Sequence, residues 1–182
     1  MTRVAVVIAS LGRRDILAAL VDRLRGQTRP PEAICIAVSK QEDARAYSEA
    51  EGIEVLVSPI GSCAQRNRGI ERVLPDADII AFLDDDFVPA SNYFERLVEF
   101  FAERPAAAGV TGVVVADGVT GPGLSMDEAI AAIAAQAPVS PENPEMLEER
   151  VSLYGCNMAF RREAIENVRF DERLPLYGWL ED

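Results

Sequence analysis

Ile79-Ile80-Ala81-Phe82-Leu83-Asp84-Asp85-Asp86-Phe87-Val88-Pro89 is an apolar run that passes directly into three carboxylates. An unbroken run of this kind reads as a strand covered on both faces, as in a parallel sheet. In open α/β sheets, ligands bind outside the carboxyl ends of the strands. The stretch therefore points to both a fold class and a site. On an extended segment alternate side chains share a face. Asp84 and Asp86 are expected to converge on one ligand while Asp85 points away, the least engaged of the three. Adjacent carboxylates raise one another's pKa unless a cation sits among them. Hard oxygen donors of this type suit Mg2+ or Mn2+, with substrate phosphates completing the coordination. The triplet is followed by Phe87-Val88-Pro89 and not by Gly or Asn, which argues against a plain solvated turn.

Working outward, the same rhythm recurs on both sides. Val4 to Ala9 is a second buried-strand run, followed by Ile16, Leu17, Leu20, Val21 and Leu24 at helical spacing. Gly26 and Pro30-Pro31 close that helix. Ala33 to Val38 reads as a strand, Gln41 to Glu51 as an exposed helix, and Ile53 to Val57 as a third strand. Ala64 to Leu74 reads as a helix. Ser91 is placed to cap another, running to about residue 103 with Phe94, Leu97, Val98 and Phe101 inward. Ala108 to Ala116 reads as a further strand. Strands alternating with helices predict a mostly parallel central sheet flanked by helices, a Rossmann-like α/β fold. The loops after residues 9, 38, 57 and 83 then share one rim.

From residue 117 the rhythm changes. Gly118, Gly121, Pro122 and Gly123 form a loop, and Ser125 with Glu128 fits a capping box opening the helix Ala129 to Gln136. Residues 138–144 form a second loop. This section reads equally as an acceptor-binding lid or as a surface excursion. Residues 152–160 read as a strand interrupted by Gly155, and 162–168 as a short helix. The abrupt end at Trp179-Leu180-Glu181-Asp182 suggests a truncated sequence.

Bulk properties narrow the function. A chain of 182 residues holds one domain with a sizeable core. The net charge of −12 argues against nucleic acid as a partner and against electrostatic docking on anionic lipid. The absence of histidine removes Ser-His and Cys-His catalysis. Cys35, Cys63 and Cys156 make neither a disulfide framework nor a zinc pattern, so the cytoplasm is the expected compartment. No signal peptide is visible, and no stretch reaches the about 20 apolar residues of a membrane span.

The segment Phe82-Leu83-Asp84-Asp85-Asp86 with Pro89 resembles the Asp-x-Asp segment of family 2 glycosyltransferases, which have the GT-A fold. Other segments are similar to that family in the same order: Val6 to Ser10 with Arg13-Arg14; Leu24 with Gln27-Thr28; Gly61 to Ile70; Gly155 to Arg162; and Gly178 to Asp182. The resemblance implies a single catalytic domain, with a nucleotide-sugar-binding half over 1–116 and an acceptor-side half over 117–182. It implies a nucleoside-diphosphate sugar as donor. The acceptor is a glycan, a lipid-linked or a small molecule, and a peripheral position at the inner face of a membrane fits the second of these. The nucleotide-sugar-binding set is Ala9, Ser10, Arg13, Ser39, Arg66, Asp84 and Asp85. Asp86, with Asp84, holds the Mg2+ or Mn2+. Asp182, with Glu181 as rival, is the base of an inverting displacement. Gly155, Asn157 and Trp179 lie on the acceptor side.

The pattern departs from the family in two places. Val38-Ser39-Lys40 stands where an Asp often reads the base, and Leu11-Gly12-Arg13 replaces the usual Asn of the first loop. The rival readings are a haloacid-dehalogenase-type phosphotransferase, a nucleotidyltransferase and a non-catalytic nucleotide-sugar-binding domain. The first expects its aspartates after strand one, and the second a Gly-rich first loop.

Overall fold

The computed structural model describes residues 1–47, 51–118, 121, 123–136, 148–150 and 152–174. Its six strands are β1 (Val4–Ser10), β2 (Ala33–Val38), β3 (Ile53–Val57), β4 (Ile79–Asp84), β5 (Gly109–Thr111) and β6 (Asn157–Arg161). The helices are α1 (Arg14–Arg25), α2 (Ser62–Val73), α3 (Tyr93–Glu103), α4 (Met126–Ala134) and α5 (Arg162–Ile165). The sheet order is β3-β2-β1-β4-β6-β5. The first four strands are mutually parallel, and β6 runs antiparallel between β4 and β5.

This order follows from the side chains. Strand residues alternate between two buried layers, so each apolar run has to be covered twice. Val4, Val6, Ile8, Ala81 and Leu83 pack against Leu17, Leu20, Val21 and Leu24 of α1 and Phe94, Leu97 and Phe101 of α3. Ala5, Val7, Ile80 and Phe82 face Ile70 and Val73 of α2 and Ile165 of α5. The α2 helix comes so close to β1 that a Cβ on Gly69 would lie 2.3 Å from a methyl of Val7. Only glycine allows that approach.

Strand order places the site. The chain runs β1, β2, β3 toward one edge, then returns to lay β4 on the other side of β1. The crevice between the carboxyl ends of β1 and β4 is the switch point at which such sheets bind ligands. Ala9 and Asp84 are register partners across it.

Four local expectations change. The segment from Gln41 is a single 3-10 turn, Gln41–Asp43, followed by extended backbone, and not a helix reaching residue 51. Among its described residues Ala44 is buried and Tyr47 packs partly against the core, too small an apolar face to anchor further turns. Ser91 does not cap α3, which begins at Tyr93 behind Asn92 with no side-chain cap of its own. Gln27 takes that role from the end of α1: its Oε1 accepts from the Tyr93 N–H at 3.0 Å and its Nε2 donates to the Ala90 carbonyl at 2.8 Å. The strand expected over 108–116 stops at Thr111, because the Gly112 N–H donates to the Asn157 side chain at 2.7 Å instead of a neighbouring strand. The strand expected over 152–160 starts only at Asn157, after a turn. Ser125 does cap a helix with Glu128 in the expected box, and that helix, α4, starts directly at Met126.

Candidate functional site

The β1–β4 crevice gathers residues from four parts of the chain. After β1 comes the loop Leu11-Gly12-Arg13; after β4 comes the aspartate triplet; α2 brings Gln65, Arg66 and Asn67. The buried Gln65 donates from Nε2 to the Ser10 carbonyl at 2.8 Å and the Ala37 carbonyl at 2.7 Å, tying together the ends of β1 and β2. The turn before β6 closes the far side, with the Asp84 N–H donating to the Cys156 carbonyl at 3.2 Å.

The three aspartates are held differently. Asp85 is 5% exposed. It accepts from Ser10 Oγ at 2.6 Å and from Arg13 at 2.7 Å. The backbone turns at Asp85 and Asp86 instead of staying extended, so the expected alternation does not hold. Asp85 shares Arg13 with Asp86, while Asp84 pairs with Arg66. Asp85, expected to be the least engaged, is the buried anchor of the loop that carries Arg13. Arg13 also donates to Asp86 at 2.8 Å, so one guanidinium spans both carboxylates. The hydrogen bond to Asp85 is the main cause holding that guanidinium firmly protonated. The Asp86 side chain is 55% exposed.

Asp84 pairs with Arg66 at 3.1 Å, its own side chain 42% exposed and that of Arg66 buried. Arg66 also donates to the Gly155 carbonyl at 3.3 Å and lies over the ring of Phe170, 5.3 Å from its centre. Despite the arginine, Asp84 is raised from 3.8 to about 6, first by burial and then by the neighbouring Asp86 and Asp85 charges. Burial is thus what opposes the Asp84 charge, since Arg66 more than offsets the neighbouring aspartates.

The acceptor-side residues frame the other wall. Asn157 bridges β6 to the end of β5, its Oδ1 accepting from Thr111 Oγ1 at 2.9 Å and from the Gly112 N–H. Tyr154 donates to Asp117 at 2.8 Å. Burial, with the Asp84, Asp117 and Asp86 charges, pushes the Cys156 thiol up to about 12, which removes it as a thiolate nucleophile. Ser39 stands apart at the end of β2, donating to Asp43 at 3.0 Å. A carboxylate is therefore present at that end of the sheet after all, four residues on, in the 3-10 turn.

The structure brings together Ala9, Ser10, Arg13, Arg66, Asp84, Asp85, Asp86 and Gly155 on one rim, with Asn157 behind. Trp179, Glu181 and Asp182 lie outside the described residues. Sequence reasoning missed Gln65, which sits beside Arg66 in the same motif, and Phe170, which no local pattern marks. Among the described residues no three potential ligand side chains gather around one point as a closed metal cage. An open pair of carboxylates is what a cation shared with substrate phosphates uses.

A parallel sheet with an acidic switch-point rim and an antiparallel strand inserted beside it defines a nucleotide-binding α/β protein of the GT-A kind. The chain belongs to glycosyl transferase family 2, whose family model matches residues 5–169. The glucosyl-dolichyl phosphate glucuronosyltransferase of Haloferax volcanii is 27% identical over 177 residues, covering 91% of this chain and 55% of that protein. The chain thus spans about half the length of that curated relative. Among solved structures, S. aureus TarS matches with a TM-score of 0.63 at 15% identity, over 100% of this chain and 32% of that one. A mannosyltransferase from Pyrobaculum calidifontis, in complex with GDP-Man and Mn2+, matches with a TM-score of 0.57 at 15% identity, over 97% of this chain and 49% of that one. At such identities the structural matches establish the GT-A fold alone. Among the described residues no helix is long and apolar enough to cross a membrane.

Proposed function

We propose that this chain transfers a sugar from a nucleoside-diphosphate sugar to an acceptor hydroxyl, with inversion and with a divalent metal. The observation that carries the reading is Asp84, a carboxyl raised to about 6 at the switch point of a family 2 domain. A carboxyl held there disfavours its own charge until a cation arrives. Asp86, with Asp84, would hold Mg2+ or Mn2+, for which oxygen donors are the right chemistry. The cation supplies charge neutralisation to the departing diphosphate.

This chain's own residues do the rest. Ala9, Ser10, Arg13, Ser39, Arg66, Asp84 and Asp85 form the donor-binding wall. Arg66 is fixed by Asp84, the Gly155 carbonyl and Phe170 with its guanidinium at the crevice, a suitable partner for phosphate oxygens. The bond from the anomeric carbon to the diphosphate oxygen breaks as one to the acceptor oxygen forms. Asp182, or Glu181, takes the acceptor proton; a carboxylate in contact needs orientation more than a high pKa for this. Gly155, Asn157 and Trp179 shape the acceptor side. The domain acts as one unit, 1–116 serving the donor and 117–182 the acceptor. The name of the Haloferax relative makes a lipid-linked sugar phosphate the first acceptor class to assay.

The test is a thermal-shift panel of UDP, GDP, dTDP and CMP sugars, each with and without Mn2+. A bound donor stabilises the fold by mass action, about 2.7 kcal/mol at a hundredfold excess over Kd. One nucleotide class is expected to stabilise in a metal-dependent way, and Asp86→Ala is expected to abolish the metal dependence. Equal stabilisation without metal would count against the metal site. Binding without nucleoside-diphosphate release by the full-length protein would favour a non-catalytic binding domain.

A further inference from the structure

Asn67 is 5% exposed, and its amide bonds to the chain that follows α5. Its Oδ1 accepts from the Phe170 N–H at 2.9 Å, and its Nδ2 donates to the Phe170 carbonyl at 3.0 Å and to the Glu172 carboxylate at 2.8 Å. A side-chain amide here offers a residue's backbone the donor and acceptor that a neighbouring strand would offer. Phe170 needs this, because residues 168–171 belong to no helix or strand. Its ring is fixed on both sides: edge-on to Phe82 of β4 at 5.4 Å, and under the Arg66 guanidinium. The residues that grip Phe170 are thus the neighbours Arg66 and Asn67, of which Arg66 also holds Asp84.

We infer that Asn67 is a positioning residue: its amide clasps the Phe170 backbone and fixes where the segment 169–174 enters the site, 103 residues away in sequence. A core-filling role does not call for an amide, since a buried polar group is tolerated only when it is hydrogen-bonded and an apolar side chain of that size would pack without that requirement. The three partners instead satisfy the amide's acceptor and both of its donors. Arg66 and Asn67 are consecutive on α2, so the donor wall and the approach of the acceptor-side chain are set by one helical turn. This goes beyond the transferase reading for the clasp itself and rests on it for the kinetic consequence.

Two variants of the full-length protein test it, Asn67→Ala and the equally sized Asn67→Asp, which keeps the acceptor but cannot donate. Amide hydrogen exchange over 166–174 is expected to quicken at least tenfold in both, with β1 and β4 unchanged. With an active donor, kcat is expected to fall at least tenfold while the donor KM stays within twofold. Unchanged exchange at Phe170 overturns the clasp. A joint loss of protection across all strands, with kcat and KM worsening together, overturns positioning in favour of a general packing role. Wild-type protein that releases no nucleoside diphosphate from any donor refutes the transferase reading instead, and the exchange result still decides the clasp.

Discussion

Asp84→Asn should stabilise the ligand-free protein while removing its response to donor and metal. Asp84 is raised from 3.8 to about 6 because burial opposes its charge by more than the Arg66 pairing favours it, with Asp86 and Asp85 adding to the rise. At about 1.4 kcal/mol per pH unit, that difference corresponds to about 3 kcal/mol of extra ionisation cost in the folded state. The side chain is 42% exposed, so solvent screening cuts the recoverable part to about 1 kcal/mol. Asparagine keeps an oxygen that can accept from Arg66, so the pairing partner is not abandoned. The sign follows from linkage. A carboxyl whose folded pKa lies above its unfolded one favours folding at low pH, and that contribution is lost as pH rises from about 4 through about 6. The variant and the wild type should therefore differ little at pH 4. At pH 7.5 the variant should melt about 2–4 °C higher, the shift about 1 kcal/mol produces in a domain of this size. Differential scanning calorimetry across pH 4–8, without nucleotide or metal, measures this. A variant that is less stable at pH 7.5, or a difference that does not change with pH, refutes the reasoning.

Arg13→Gln leaves the buried Asp85 with Ser10 as its remaining side-chain partner and should destabilise the fold by about 1–3 kcal/mol, read by urea denaturation. The same substitution frees Asp86 from its guanidinium, so Mn2+ titrated without nucleotide should bind more tightly than to wild type, while Arg14→Gln, outside the ion pair, should change it less. Gly69→Ala forces a methyl to 2.3 Å from Val7 and should cost about 1–3 kcal/mol by overpacking, seen as a lowered urea midpoint. Ser125→Ala removes a cap from α4, a helix with no buried residue; hydrogen exchange should quicken at its first turn, by about 1 kcal/mol of local stability, with the global melting point unmoved.

How much of this could be read in the sequence depended on how local the cause was. Val4–Ser10 and Ile79–Asp84 are strands because their own residues demand burial on two faces, so they were legible. The Gln41–Asp43 turn was not, because helix propensity with so small an apolar face, Ala44 and Tyr47, does not hold a helix together. The antiparallel β6 was legible as a strand, but its direction is set by pairing with β4, and pairing partners leave no periodicity. At the site, alternation misplaced Asp85, because the chain turns at Asp85 and Asp86 and one Arg13 guanidinium gathers both carboxylates. The partners that bury Asp85, Ser10 and Arg13, are 75 and 72 residues away and leave no local pattern. The grip of Asn67 on Phe170 was hidden for the same reason. Gln27, placed at the step before β2, turned out to cap a helix that begins 66 residues later.

The central claim is that the Asp84–Asp86 rim binds a nucleoside diphosphate through a shared cation. Calorimetric titration of the nucleoside diphosphate picked out by the stability panel, into wild type and Asp86→Ala with and without Mn2+, tests it most directly. The account predicts at least tenfold tighter binding to wild type with Mn2+ than without, and no such gain in Asp86→Ala. Equal affinity in all four titrations would contradict it.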